Sequence, residues 1–396
     1  MTVTSPGVPK SAYYVALDGL RALAVIMVFF QHYGAGHAFI FGWGWTGVDI
    51  FFVLSGFLIT GILYDSQAKS RRYRDFYIRR TLRIFPLYYF VWAVVLLLAP
   101  LAHWQWNIRW ALWPAYLGNY ARFFFLHQPG DPYRFDKLTF GAPVSSWFGY
   151  PFHLYIGHFW SLCVEEQFYL IWPFVVYQVR RRQTLIKICM AVIILSPIVR
   201  GALSVALPRK LLGMELFYRS LPTRLDALLI GGLVALLLRG QEEVVLRRLR
   251  RPLLAVSSAL FVALYLVSTK VLALPLEGSA SSWIGVFGFT LIDVFAAAMI
   301  LECIHPGSLL GTLLSWKPLR ALGIVSYGFY VYHDLLHDLY SDWAHRISVQ
   351  YAYPLTILIA FAATLLIATL SYRLLEKPLL RLKDRFAGQV HTAPTI

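Results

Sequence analysis

The chain has 396 residues, of which 58% are hydrophobic and 14% are charged. Soluble domains carry roughly 25% charged residues, so this composition excludes an ordinary soluble domain and predicts an all-α, polytopic membrane helix bundle. The net charge of +16 does not indicate nucleic-acid binding, because the basic residues form short clusters between apolar runs, as they do in cytoplasmic loops beside anionic membrane lipids.

The first apolar run, residues 17–34, has an ionisable side chain near each end. Arg21 and His32 are eleven positions apart, which is almost three helical turns, so both lie on one helix face, roughly 16 Å apart along the axis. Ionisable residues inside a span are costly and therefore functional candidates. A snorkelling arginine and a hydrogen-bonded interfacial histidine would explain the pair equally well. Residues 1–14 are predicted to be a short cytoplasmic tail.

The second and third runs each contain one candidate feature. In residues 47–63, glycines such as Gly56 allow close helix approach, and Ser55 can form hydrogen bonds across helices. Ahead of the third run, Arg80 and Arg83 share a helix face at the predicted cytoplasmic end. Such a pair can clamp a phosphate with bidentate hydrogen bonds, although positive charge that anchors the span is the simpler explanation of the pair alone.

The distribution of basic residues predicts how many runs cross the membrane. Four clusters of Lys and Arg occur, at residues 69–83, 180–182, 247–251 and 373–385. All four lie on the side of the N-terminus if the segment 109–126 does not cross. The positive-inside rule therefore predicts about ten transmembrane helices with both termini cytoplasmic, and an interfacial or re-entrant segment at 109–126.

The longest predicted outward-facing stretch, residues 102–157, is rich in Trp, Tyr, Pro, Gly and His. Its aromatic rings, together with Asp131 and Asp136, could hold a sugar, or they could form an aromatic belt at the membrane surface. At the other end of the chain, residues 377–396 are predicted to be a cytoplasmic tail, and no further extracytoplasmic domain is expected.

Two adjacent carboxylates lie in the outer half of a later span. Glu165 and Glu166 follow closely after Ser161. Neighbouring side chains on a helix point about 100° apart, so we expect one carboxylate to face a site and the other to bond to a neighbouring helix. A carboxylate near His32 would hold the tautomer of the imidazole and raise its basicity. Structural hydrogen bonds are the alternative explanation, and the sequence leaves open which glutamate faces the site.

The last polar segment includes Tyr330 and His333, which share a helix face. His333 and His337 form the pattern H-D-L-L-H, which is similar to the zinc motif H-E-x-x-H. Aspartate replaces the glutamate, no third ligand is evident and the pair lies in a predicted span, so we expect no metal. Three cysteines are predicted to be buried free thiols: Cys163, Cys189 and Cys303.

Taken together, these segments resemble the membrane acyltransferase 3 family, which includes bacterial O-acetylases of lipopolysaccharide and peptidoglycan. The motifs that carry the resemblance are LDGLRALAVIMVFFQH, GVDIFFVLSGFLI, FYIRRTLRIFPLYY, HFWSLCVEEQFYLIWP, SYGFYVYH and YRLLEKPL. The resemblance covers nearly the whole chain and implies one transmembrane domain over residues 15–376. The sequence departs from it at HDLLH, where relatives often have a proline soon after the histidine.

The resemblance implies transfer of an acyl group, most often acetyl, from cytoplasmic acyl-CoA to a hydroxyl of a cell-envelope or lipid-linked carbohydrate. It implies a multi-pass protein of the bacterial cytoplasmic membrane that uses acyl-CoA as a co-substrate and has no tightly bound cofactor. Arg80 and Arg83 would bind the CoA phosphates at the cytoplasmic mouth of the bundle, and Arg21 would help to guide the donor.

The same resemblance implies that His32 is the general base for the acceptor hydroxyl, or that it carries the acyl group covalently. Glu165 or Glu166 would orient its imidazole. The acceptor side would contain an oxyanion donor and a further imidazole: Ser55 or Tyr330, and His333.

Functions of other classes also fit a membrane bundle with internal charges. A glycolipid or polysaccharide transporter would move its substrate without consuming CoA. A non-catalytic partner in polysaccharide assembly would tolerate alanine at His32 and Glu166. Among enzymes, the residue types do not separate acetyl from longer acyl groups, or a glycan from a small-molecule glycoside such as a macrolide. The oligomeric state is also open.

Overall fold

The computed structural model describes residues 13–34, 43–98, 100, 108–121, 137–140, 152–206, 212–267 and 283–386. The α-helices in this part of the chain are α1 (Val15–Gly34), α2 (Thr46–Asp65), α3 (Arg72–Leu98), α4 (Trp160–Gln178), α5 (Arg182–Ala206), α6 (Leu212–Arg219), α7 (Leu221–Leu237), α8 (Glu242–Leu266), α9 (Trp283–Cys303), α10 (Leu309–Leu314), α11 (Lys317–Ile324), α12 (Ser326–Tyr332), α13 (His337–Ile347), α14 (Ala352–Ser371) and α15 (Lys377–Phe386). Two short strands, β1 (Lys137–Phe140) and β2 (Phe152–Tyr155), form an antiparallel pair.

Within the described residues, eight helical segments are long and apolar enough to cross a membrane. They are Val15–Gly34, Thr46–Asp65, Arg72–Leu98, Arg182–Ala206, Leu216–Leu237, Glu242–Leu266, Gly285–Cys303 and Ala352–Leu382. A long apolar helix satisfies its own backbone hydrogen bonds, which is the condition for crossing hydrocarbon. The predicted all-α, polytopic membrane bundle is therefore confirmed.

Two of the ten predicted spans are built differently from these eight. Helix α4 has 19 residues, but the polar run 165–167 lowers its hydropathy. The predicted span that leads to Tyr330 and His333 is interrupted at Val325, so that α11 and α12 are two short helices. At this interruption the backbone of Gly323 lies directly against the backbone of Asp18, in a gap that no side chain could share.

The basic loops meet at one end of the bundle. The side chain of Gln67, in the turn after α2, donates to the carbonyl oxygen of Val176 at 2.7 Å, near the end of α4. Arg182, at the start of α5, donates to Glu242 Oε2 at 2.9 Å, at the start of α8. The first three basic clusters of the sequence are therefore on one side, as the positive-inside rule requires, and this rule predicts that the side is cytoplasmic.

The segment predicted to be interfacial, 109–126, is described as far as residue 121. It contains two short 3-10 turns, Ile108–Leu112 and Gly118–Tyr120, and no span-length helix in that part. Trp113 is fully buried, and the Tyr88 hydroxyl of α3 donates to its carbonyl oxygen at 2.6 Å. These turns therefore pack against α3.

Most of the predicted outward stretch, including Asp131 and Asp136, lies outside the described residues. Its described part near β2 is attached to α13. The backbone N–H and Nδ1 of His153 lie 3.1 and 2.7 Å from Asp338 Oδ2, and the N–H of Tyr155 donates to the carbonyl oxygen of Leu335 at 3.3 Å. The hairpin therefore lies beside the H-D-L-L-H segment.

Helices α2 and α7 pack with their backbones in close contact. A side chain at Gly56 would overlap the carbonyl group of Leu228, and one at Gly231 would overlap that of Val53. This contact, together with the largely buried surface of α2, agrees with close helix approach at Gly56. It fixes α2 at the centre of the bundle, where its other face is free to line a cavity.

A buried ion pair joins α5 to α7 at the end of α5 remote from Arg182. Arg200 donates to both oxygens of Asp226, at 3.0 and 2.8 Å, and both side chains are buried. The same guanidinium also donates to the carbonyl oxygens of Thr223 and Val286 and to Thr290 Oγ1. All its nitrogens are thus satisfied, which is what makes a buried charge tolerable.

We predict that Arg200→Ala destabilises the protein strongly, because it leaves the Asp226 carboxylate buried without its counterion. Loss of one partner of such a pair costs about 3–5 kcal/mol. The matched control is Arg346→Ala, since the Arg346 side chain is 55% exposed in its pair with Asp342 and such pairs contribute under about 1 kcal/mol. Thermal unfolding in detergent, followed by tryptophan fluorescence, measures both; equal melting temperatures for the two variants would contradict this account.

Candidate active site

A cavity lies between α1, α2, α3, α4 and α12, and it is lined by seven of the nine predicted site residues. These seven are Arg21, Ser55, Arg80, Arg83, Glu165, Glu166 and Tyr330. The other two, His32 and His333, do not line the cavity and lie beyond Tyr330. The site therefore has two parts, a charged cavity and an imidazole cluster at its far end.

The basic part of the cavity comes from α1 and α3. Arg80 and Arg83 are three positions apart on α3 and therefore share its cavity-facing side. The Arg80 guanidinium lies over the ring of Tyr169, 5.1 Å from its centroid, and Arg21 Nη1 donates to Asp18 Oδ1 at 2.9 Å. Among the described residues, no carboxylate lies within 4.0 Å of Arg80 or Arg83, so both cations remain available to an anionic ligand.

Both predicted carboxylates line the cavity, whereas the sequence predicted that only one would face the site. Glu165 is within hydrogen-bonding reach of Ser55 and Tyr169, whose hydroxyl oxygens are 2.5 Å apart. Glu166 Oε1 is buried and has no hydrogen-bond partner among the described residues. The middle of the cavity is therefore lined by groups that accept hydrogen bonds.

Tyr330 closes the outer end of the cavity. Its hydroxyl donates to the carbonyl oxygen of His158 at 2.8 Å and accepts from Ser161 Oγ, 2.6 Å away. The carbonyl oxygen can only accept, so the phenolic proton points toward it when Ser161 donates to Tyr330. On the other side, the Tyr330 ring centroid is 5.4 Å from that of His333. One aromatic side chain thus separates the cavity from the imidazole cluster.

Two backbone carbonyl groups fix the tautomers in that cluster. His333 Nδ1 lies 2.6 Å from the carbonyl oxygen of Tyr330, and His32 Nδ1 lies 3.0 Å from that of Val28. A carbonyl oxygen only accepts, so both Nδ1 atoms carry hydrogen. His333 Nε2 is then a lone-pair acceptor, 3.2 Å from His32 Nδ1. The basic atom of His32 is therefore Nε2.

A carboxylate that the sequence did not single out lies inside the cluster. Asp334 is only 7% exposed, and its Oδ2 is 3.9 Å from His32 Nε2 and 3.8 Å from His158 Nδ1. Its Oδ1 is 3.4 Å from His337 Nδ1. The H-D-L-L-H segment thus contributes a carboxylate that lies within 4.0 Å of three imidazoles.

This geometry corrects the expected partner of His32. The sequence suggested that Glu165 or Glu166 would orient its imidazole. Instead, among the described residues, the carboxylate within 4.0 Å of His32 is that of Asp334, and Glu165 lies beside Ser55 of α2. The one sequence signal for Asp334 is its position between His333 and His337, a pattern that is similar to a metal motif.

We predict that histidine-directed acylation separates the exposed and buried imidazoles. The His32 side chain is 31% exposed and that of His337 is 32% exposed, whereas His158 and His333 are buried. Diethyl pyrocarbonate should therefore modify His32 and His337 well before His158 and His333. Peptide mass spectrometry after brief treatment in detergent measures the order, and early modification of His333 would contradict the described cluster.

Comparison with known proteins identifies the family to which this chain is related. A family model described as "Acyltransferase domain" matches residues 14–373. The peptidoglycan O-acetyltransferase OatA of Listeria monocytogenes is 30% identical over 335 residues, which are 81% of this chain and 49% of the relative. YrhL of Bacillus subtilis is 34% identical over 343 residues, which are 81% of this chain and 48% of the relative. The O-acetyltransferase OatA of Staphylococcus aureus is 29% identical over 332 residues, which are 81% of this chain and 50% of the relative.

The chain spans about half the length of these curated relatives. The comparison with solved structures found no match. The family model nevertheless covers nearly the whole chain, and five of the six motifs that carried the resemblance contribute residues to one cavity or its adjoining imidazole cluster. The chain therefore belongs to the acyltransferase-domain family of membrane proteins.

Proposed function

We propose that this protein is a membrane O-acyltransferase that moves an acyl group, most readily acetyl, from acyl-CoA to a hydroxyl of a cell-envelope carbohydrate. The observation that carries the proposal is the order of groups along one cavity, with guanidinium groups at one end and the His32 cluster beyond the other. The relatives named peptidoglycan O-acetyltransferases support a carbohydrate acceptor.

The arginine end of the cavity suits the charged part of acyl-CoA. Its phosphates carry several negative charges, and guanidinium groups bind phosphate oxygens in pairs. Arg80 and Arg83 have no carboxylate partner within 4.0 Å among the described residues, and Arg21 lies at the same cavity. In this proposal the three cations hold the phosphates at the predicted cytoplasmic face, so that the thioester arm extends into the bundle.

Glu165 and Glu166 then act in the donor channel. The arm between the phosphates and the thioester contains amide N–H groups, and a carboxylate or hydroxyl oxygen can accept hydrogen bonds from them. Ser55 and Tyr169 extend this row of acceptors, since Ser55 Oγ and the Tyr169 hydroxyl are 2.5 Å apart. The proposed role of the two glutamates is therefore to guide the donor, and they do not orient His32.

His32 supplies the base in this scheme. Its Nε2 takes the acceptor hydroxyl proton while the hydroxyl oxygen attacks the thioester carbonyl carbon. The C–S bond then breaks, and the proton on Nε2 passes to the departing sulfur. A covalent route, in which Nε2 first takes the acyl group, would use the same nitrogen. Either route requires Tyr330 to turn away from the His158 carbonyl, and its O–H is then free to stabilise the oxyanion.

We predict that His32→Ala lowers acyl transfer by at least about a hundredfold, the lower range for loss of a general base. The assay uses purified protein in nanodiscs, acetyl-CoA labelled in the acetyl group and a soluble envelope glycan, with mass spectrometry of the product. The control is His345→Ala, because in the described part of the chain the His345 ring bonds only to the Ser341 carbonyl, in the exposed part of α13. A wild-type rate in His32→Ala would disprove the scheme.

A second prediction concerns donor binding. Arg80→Gln and Arg83→Gln should each raise the KM for acetyl-CoA by roughly ten- to a hundredfold, the equivalent of one charged hydrogen bond, with a smaller change in kcat. Arg74→Gln is the matched control, since Arg74 lies on α3 but is exposed and does not line the cavity. Equal KM values in all three variants would place the donor elsewhere.

A further inference from the structure

We propose that Asp334 is a positioning residue that stabilises His32 in its protonated state, and that His337 competes with His32 for the charge of this carboxylate. This inference rests on the proposed function of His32 as a base. It assigns a role to the aspartate of H-D-L-L-H, which the acyl-transfer scheme does not otherwise use.

The Nε2 atom of His32 faces Asp334. Its Nδ1 is occupied by the Val28 carbonyl oxygen at 3.0 Å and by His333 at 3.2 Å. Its Nε2 faces Asp334 Oδ2 at 3.9 Å, which is too long for a hydrogen bond. The carboxylate therefore leaves the Nε2 lone pair accessible to a hydroxyl group, yet it is close enough to attract an imidazolium.

Asp334 forms no ion pair with an arginine or lysine in the part of the chain that the structure describes. Among the described residues, no Arg or Lys side chain lies within 4.0 Å of its carboxylate, and its three partners at up to 3.9 Å are imidazoles. A buried carboxylate is costly without a compensating charge. A proton that arrives on His32 during the reaction therefore meets an uncompensated negative charge, which lowers the free energy of that state.

His337 competes with His32 for the charge of Asp334. His337 Nδ1 is closer to Asp334 than His32 is, at 3.4 Å, and its side chain is 32% exposed, so it is accessible to protons from the water outside the bundle. The titratable groups that face Asp334 from the surrounding elements are His32 and Tyr33 of α1, His158 before α4, Tyr330 of α12, His333 and His337 of the H-D-L-L-H segment, and Tyr155 of β2.

The two variants Asp334→Asn and His337→Gln should shift the pH–rate profile in opposite directions. His32 must be unprotonated to act as a base. Without the Asp334 charge its protonated form is less favourable, so the acid limb of kcat/KM should move to lower pH by about one unit, and the plateau rate should fall. Without His337 the whole charge of Asp334 acts on His32, so the acid limb should move to higher pH.

The experiment measures acetyl transfer by the full chain in nanodiscs from pH 5 to 9, with acetyl-CoA and a soluble envelope glycan. Asp338→Asn is the matched control, because Asp338 binds His153 one turn further along, and its acid limb should match that of the wild type. Unshifted limbs in both Asp334→Asn and His337→Gln would overturn the inference. If Asp334→Asn does not fold, the direction of the His337→Gln shift decides alone.

The outcome is separable from that of the proposed function. If His32→Ala transfers acetyl groups at the wild-type rate, the proposed function fails regardless of the Asp334 result. If His32→Ala is inactive and the acid limbs of Asp334→Asn and His337→Gln are both unshifted, His32 is still required and only the positioning role of Asp334 is disproved.

Discussion

The organisation of this protein depends on the high cost of placing ionisable side chains in hydrocarbon. The described residues meet this cost in three ways. Arg200 and Asp226 neutralise each other inside the helix packing. Arg80 and Arg83, which belong to the basic cluster 69–83, line a cavity. The imidazoles beyond Tyr330 can each be neutral, so they cost less than permanent charges at the same depth, and together they surround one carboxylate.

Backbone carbonyl groups hold two of these imidazoles in defined tautomers, which makes the cluster a candidate acid–base site. The carbonyl groups of Val28 and Tyr330 can only accept hydrogen bonds, so they set the tautomers of His32 and His333 before any substrate binds. Val28 is one helical turn before His32, and Tyr330 is three positions before His333, so each histidine is oriented by its own segment of chain. In the proposed scheme His32 Nε2 is the basic nitrogen, and its tautomer is set by the Val28 carbonyl group without help from a glutamate.

Much of this was predictable from local spacing. The eleven-residue separation of Arg21 and His32 defined one helix face. The first three basic clusters correctly predicted which helix ends lie on the same side of the bundle. The partner of His32 was not predictable, because Asp334 approaches it only after α12 ends and the chain turns between His333 and His337. The association of Glu165 with Ser55 depends on how α2 packs against α4, which no local pattern encodes. The interruption of the predicted span at Val325 likewise reflects close contact of Gly323 with α1.

The central claim is that the donor binds at the basic end of the cavity and the acceptor reacts at the other end, across the bundle. Vesicles that contain the purified protein and enclose a soluble envelope glycan test it directly, with labelled acetyl-CoA added only outside, since CoA does not cross lipid. Protein molecules whose basic loops face outward should then label the enclosed glycan, and His32→Ala should not. Labelling that occurs only when acetyl-CoA and glycan are on the same side of the membrane would contradict the account.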